Sequence, residues 1–137
     1  MALGNELISE EEDGALRFGN YELKEKTKKD GFMYNGDSYK VKTFNEITKL
    51  EKNGNFVYES VPGTLVRDFR ATKDKILFSV EGNEDAQVTL GLEPETGYKV
   101  TMNDVYLGKM KTNVGGKLSL SAELEKNESV SFQIDRE

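Results

Sequence analysis

The chain of 137 residues has no histidine and no cysteine. Imidazole acid–base catalysis, thiolate nucleophiles, disulfides and thiolate-held zinc or iron–sulfur centres are therefore excluded. Carboxylates, lysines, tyrosines and hydroxyls remain. Among them Glu59 and Asp68 draw notice, because they adjoin Tyr58 and Arg67 around Val61-Pro62-Gly63-Thr64. Two carboxylates flanking a cleft would suit glycoside hydrolysis, and a tyrosine activated by Glu59 would suit a sialidase-like variant of it. Neighbours in a strand face opposite ways, which makes the Tyr58–Glu59 pairing geometrically poor. Among 25 acidic residues, some pair falls at a suitable separation by chance. These residues read as wet-face charges, and no catalytic residue is assigned.

Glu81-Gly82-Asn83-Glu84-Asp85 offers hard oxygen donors on a turn, but without the repeating Asp-x-Asp-x-Asp of a calcium loop. It reads as a solvated turn, with no metal or other cofactor expected. Gly115-Gly116 leads into a strand at Lys117 rather than a helix, so it reads as a hairpin or bulge and not as a phosphate cradle. Aromatic platforms for sugar rings are the remaining option. Tryptophan is absent, leaving Tyr34, Tyr39, Tyr58 and Tyr106 as the tyrosines expected to reach solvent. Tyr106 stands out of phase with Val105 and Leu107 and so is expected to leave the core. With Glu59 and Arg67 these four tyrosines form the candidate binding set. The competing reading of each tyrosine is a core edge with its hydroxyl in water.

Period-two alternation dominates the elements that must carry these residues. Ile76, Phe78 and Val80 alternate with Leu77, Ser79 and Glu81. Val88-Leu90-Leu92, Tyr98-Val100-Met102, Leu118-Leu120-Ala122-Leu124 and Val130-Phe132-Ile134 repeat the pattern. Each run has one dry and one wet face, as in antiparallel sheets covered on one side. Asn35-Gly36, Asn53-Gly54, Gly82-Asn83, Asn103-Asp104, Gly115-Gly116 and Asn127 supply turn residues tolerant of positive φ. Both prolines, Pro62 and Pro94, fall at turns. The stretch 45–52 reads as strand. The fold class expected is all-β, an antiparallel sandwich. Residues 15–137 form its single domain, with sub-regions of about 15–72 and 73–137 sharing one core.

Residues 1–14 read as an acidic, flexible leader or short exposed helix with little core contact. Of the net charge of −6, −5 lies within residues 1–13 and −1 on the rest. Lys24-Glu25-Lys26-Thr27-Lys28-Lys29 is the nearest approach to a basic stripe, and Glu25 interrupts it. Nucleic acid is not an expected partner. No run approaches the roughly 20 apolar residues of a membrane span. No basic segment followed by an apolar one marks a secretory signal, and the cytoplasm is the expected location.

Leu92-Glu93-Pro94-Glu95-Thr96-Gly97-Tyr98-Lys99-Val100 resembles the strand entry of fibronectin type III and immunoglobulin-like sandwiches, with the tyrosine packed near the corner. The segment 111–118 that follows is similar to the end of accessory sandwich domains on bacterial polysaccharide-active enzymes. Across the whole chain, 18–23, 39–43, 47–54, 57–64 and 118–124 resemble short proteins of gut Clostridia labelled endosialidase or hypothetical. That resemblance implies a bacterial origin and a glycosidase acting on sialylated or other acidic polymers. Sialidases hold the substrate carboxylate with clustered arginines. This chain has Arg17, Arg67, Arg70 and Arg136, and only Arg67 and Arg70 are close. Their offset of three places them on opposite faces of a regular strand, so no sialidase site transfers residue by residue.

The function expected is that of a non-catalytic binding or assembly module. It would contact a protein partner, including copies of itself, through sheet edges or faces, with 22–29 and 109–111 as charged guards of the edges. A carbohydrate-binding accessory module is the first alternative and an endosialidase-like glycosidase the second.

Overall fold

The computed structural model describes residues 6–124 and 129–137, and strands account for all the regular structure among them. Asn127, one of the expected turn residues, lies outside the described residues. Two antiparallel sheets face each other. In spatial order, the seven-stranded sheet runs β1 (Ile8–Glu10), β2 (Leu16–Phe18), β7 (Leu65–Ala71), β8 (Lys75–Glu81), β13 (Ser129–Arg136), β10 (Gly97–Met102) and β11 (Val105–Lys111). The six-stranded sheet runs β12 (Lys117–Ala122), β9 (Ala86–Gly91), β6 (Asn55–Val61), β5 (Ile47–Lys52), β4 (Asp37–Phe44) and β3 (Thr27–Tyr34). The molecule is an all-β antiparallel sandwich, as its alternation predicts. Both halves of the sequence supply strands to both sheets, and one cluster of buried side chains draws on both.

Two-residue hairpins fix the register. Asn35-Gly36, Asn53-Gly54 and Asn103-Asp104 take positive φ at both positions, the mirror-image turn whose twist matches its strands. Gly82 and Asn83 lie in the turn between β8 and β9 but take no positive φ. Gly82 instead leaves space for Leu124, whose Cδ1 would lie 3.2 Å from an added Cβ. Two dry faces meet in an aromatic chain. Phe18 packs edge-on to Tyr58 (centroids 5.2 Å apart) and to Phe69 (5.5 Å), Tyr58 packs edge-on to Phe78 (6.0 Å), and Phe78 stacks on Phe132 (5.4 Å). Such pairs contribute about 0.5–1.5 kcal/mol each beyond area burial.

Residues 6–14 depart from the expected leader. β1 pairs with β2, and Leu7 and Ile8 are buried in the common core. Two consecutive apolar residues suffice, because the nearby acids find partners. Glu11 Oε1 accepts the Asp68 N–H at 2.7 Å, and Asp13 pairs with Arg70 at 3.0 Å.

A second departure lies in β7. Its register with β8 shifts between Arg67 and Arg70, where Asp68 adopts φ +55°. The extra residue cancels the odd offset. Arg67 stands opposite Ser79 and Arg70 opposite Leu77, so both arginines share the outer face rather than opposing ones.

Candidate functional site

The candidate binding residues do not converge. Tyr58 sits in central strand β6 with no solvent exposure, which overturns the expectation of a partly exposed ring. Its hydroxyl shares a hydrogen bond of 2.9 Å with Thr64 Oγ1, which lies 2.7 Å from Ser60 Oγ. Burial pushes the phenol up to about 12, against a smaller downward pull from the Thr64 and Ser60 hydroxyls. A phenol so held is a poor nucleophile at neutral pH. Glu59 lies on the opposite face, across from Lys49 and Thr89.

Tyr39 is also buried, and burial followed by the Asp37 charge raises its phenol. Tyr34 is half-buried, packs edge-on to Tyr39 at 5.8 Å, and donates its hydroxyl to the Gly14 carbonyl at 2.5 Å. Neither presents a flat ring to solvent in the way a sugar platform requires. Arg67, on the outer face of the other sheet, forms an ion pair with Glu81. Sequence reasoning missed the third member of that group. Tyr21 donates to Glu81 Oε2 at 3.0 Å, and burial with the adjacent carboxylate pushes its phenol up to about 12.

Around Tyr58 lies a buried hydroxyl network that docks the 62–64 turn onto the six-stranded sheet. Thr48 Oγ1 donates to the Thr64 carbonyl (2.8 Å), accepts the Thr64 N–H (3.0 Å) and lies 2.8 Å from Thr43 Oγ1. Thr43, Thr48, Ser60 and Thr64 are fully buried, and no buried side-chain polar atom among the described residues lacks a partner. Gly63 is required here, since a Cβ would drive into the Phe44 carbonyl oxygen. This network holds structure together and offers nothing to a ligand.

The open surface lies at β11. Val105, Tyr106 and Leu107 are exposed by 61%, 56% and 47%, the only three consecutive large apolar residues so exposed among the described residues. Tyr106 leaves the core as expected, but Val105 and Leu107, expected in the opposite phase, are exposed with it for a local reason. The β10–β11 register passes from Val100↔Gly108 to Thr101↔Tyr106, leaving Leu107 unpaired in a bulge where Gly108 takes φ +127°. β11 ends its sheet, so among the described residues no strand neighbours its outer backbone edge. Below it, the half-buried Met102 and Met110 pack on the core. Lys109 and Lys111 lie in the second half of the strand, and Lys109 pairs with Glu137 at 2.8 Å. That hydrogen bond and charge hold the ammonium above its ordinary range.

A second surface is a shallow trough of about 280 Å³ on the outer face of the seven-stranded sheet. Ser79, Thr101, Ser131 and Gln133 line it, and its charged lining residues are Asp13, Asp68, Arg70 and Asp104. No three acidic residues among those described are placed to hold a metal ion together.

The site so defined is that of an antiparallel sandwich with an apolar, open sheet edge. Comparison of the chain with protein-family models, curated proteins and solved structures gives no match. No helix among the described residues is long and apolar enough to cross a membrane.

Proposed function

We propose that the protein is a non-catalytic binding or assembly module that recruits a protein strand, in the first instance a second copy of itself, to the open edge of β11. The observation that carries this reading is the exposed Val105-Tyr106-Leu107 run on a strand with an unpaired outer edge. Main-chain pairing gives such an edge its affinity, and exposed apolar side chains give it a surface worth covering. Antiparallel pairing of two β11 strands about Leu107 would be self-complementary. It would set Lys109 opposite Val105 and Gly108 opposite Tyr106, so that no two lysines face each other.

Static light scattering across a concentration series tests the reading. Reversible dimerisation is expected, and Leu107→Lys should abolish it by placing like charges at the twofold centre. A strict monomer at high concentration would overturn self-assembly.

A carbohydrate-binding module is the second reading, and the hydroxyl- and amide-lined trough supports it. Affinity-gel retardation that depends on Gln133 would favour it. The glycosidase alternative draws least support, because Glu59 and Arg67 lie on the outer faces of different sheets.

A further inference from the structure

The outer face of the six-stranded sheet concentrates positive charge on an acidic protein. Register places Lys28 opposite Lys42 and Lys42 opposite Lys49, a row of three lysines across three adjacent strands. Lys40, two residues before Lys42, joins them on the same face. Strand spacing is about 4.8 Å, so the row spans only about 10 Å. A dent of about 60 Å³ is lined by these four lysines and Glu51. Glu51 bridges Lys49 at 3.7 Å, and Glu59 stands across from Lys49. Four cations against two carboxylates leave this patch at +2, while the whole chain is −6.

Like charges directly opposite one another destabilise a sheet, so folding alone gives no reason for the row. A bound anion does. Lysines present flexible point charges rather than the planar forks that select a single phosphate or carboxylate geometry. Beside the row, Phe44 stands opposite Ile47, both half-buried on the same face as Lys42 and Lys49. Phe56, also on this face, lies beneath Lys117, whose Nζ is 4.8 Å from the ring centroid. Charge beside an aliphatic and aromatic row matches a peptide that carries both acidic and apolar side chains. A uniformly charged polymer would use only the lysines.

We infer that this face docks an acidic segment of a partner protein, its carboxylates over the Lys28–Lys42–Lys49 row and an apolar side chain against Phe44 and Ile47. The site is separate from β11 and does not depend on self-association.

Fluorescence anisotropy with a short labelled peptide alternating Glu and Leu tests the inference, with labelled poly-L-glutamate and oligogalacturonate as comparison probes. The Glu–Leu peptide should bind at low ionic strength and weaken as salt rises. The Lys42→Glu/Lys49→Glu variant should lose at least about tenfold in affinity. The charge-neutral Lys42→Gln/Lys49→Gln variant, with the native circular dichroism spectrum, should lose several-fold. Phe44→Ser should weaken the Glu–Leu peptide and leave poly-L-glutamate unchanged. Leu107→Lys should have no effect, which separates failure here from failure at β11. Absence of binding at low salt, undiminished binding by both lysine variants, or tighter binding of oligogalacturonate with no effect of Phe44→Ser would each overturn the proposal.

Discussion

Tyr58 and Tyr106 lie in strands of similar local character and meet opposite fates. Tyr58 has neighbouring strands on both sides, a second sheet above it, the Thr64 and Ser60 hydroxyls gathered at its tip and no exposure. Tyr106 has a strand on one side only, bulged out of phase, and 56% of its surface in solvent. Sheet position, not residue type, separates a structural ring from one available for binding. The two sheet ends extend the comparison. Edge strand β3 carries Lys28, Lys29 and Asp30 with a register shift before Phe32, a charged and irregular edge that discourages pairing. β11 applies lysines only to its second half and leaves the first half apolar.

The largest effect expected from this contrast is at the buried ring. Tyr58→Ala removes the side chain that links Phe18 to Phe78 and leaves the Thr64 and Ser60 hydroxyls around a cavity. It should cost about 3–5 kcal/mol, read from chemical denaturation midpoints at an unchanged m-value. A loss below about 1 kcal/mol would mean that the ring is not the bridge its geometry indicates.

Alkaline titration sharpens the same contrast with a smaller effect. The Tyr58 phenol is raised from an ordinary value of 10 to about 12, with burial as the main cause, and Tyr21 is raised likewise. The folded state thus keeps protons that the unfolded chain has released. The resulting stabilisation is complete below pH 10 and is lost as pH rises through about 12. Phenolate absorbance and circular dichroism, followed together, should show the Tyr58 signal appearing only as the fold is lost. Reversible ionisation of Tyr58 near pH 10 in folded protein would contradict its burial.

Much of this architecture is legible in the sequence, and the exceptions share a cause. The runs at Ile76, Val88, Tyr98, Leu118 and Val130 form strands as their alternation predicts, and the Asn-Gly turns form hairpins. Tyr98, in phase with Val100, is buried and accepts the Glu93 N–H at 3.2 Å. Alternation assigns phase only within an unbroken strand, and extra residues in β3, β6, β7 and β11 break it. The Asp68 bulge brings Arg67 and Arg70 to one face, and the Leu107 bulge exposes three apolar residues. The irregularity between Lys29 and Phe32 resets β3. A bulge costs one residue and inverts every face beyond it, so a period-two reading cannot anticipate it. Exposure of the tyrosines was illegible for another reason. A strand's own residues do not record whether it is central or terminal in its sheet, a property set by long-range pairings such as Tyr58↔Leu90. The Leu7–Ile8 pair was hidden by the acids that follow it, whose charge is absorbed by Arg70 and the Asp68 backbone.

The smallest effect on stability is expected where the effect on assembly is large. Tyr106→Ser removes an exposed ring from an edge strand and should leave the unfolding midpoint within about 0.5 kcal/mol of the parent. Apolar area covered at a self-paired edge contributes to association at roughly 25 cal/mol per Å², and pairing about a twofold axis loses each truncated ring twice. The dimerisation constant measured by sedimentation should therefore weaken while the denaturation curve of the dilute monomer stays in place. Equal losses in both would make Tyr106 a second Tyr58 and dissolve the contrast. No loss in either would move the interface away from the first half of β11, leaving the bulge to explain the exposure and nothing to explain its apolar character.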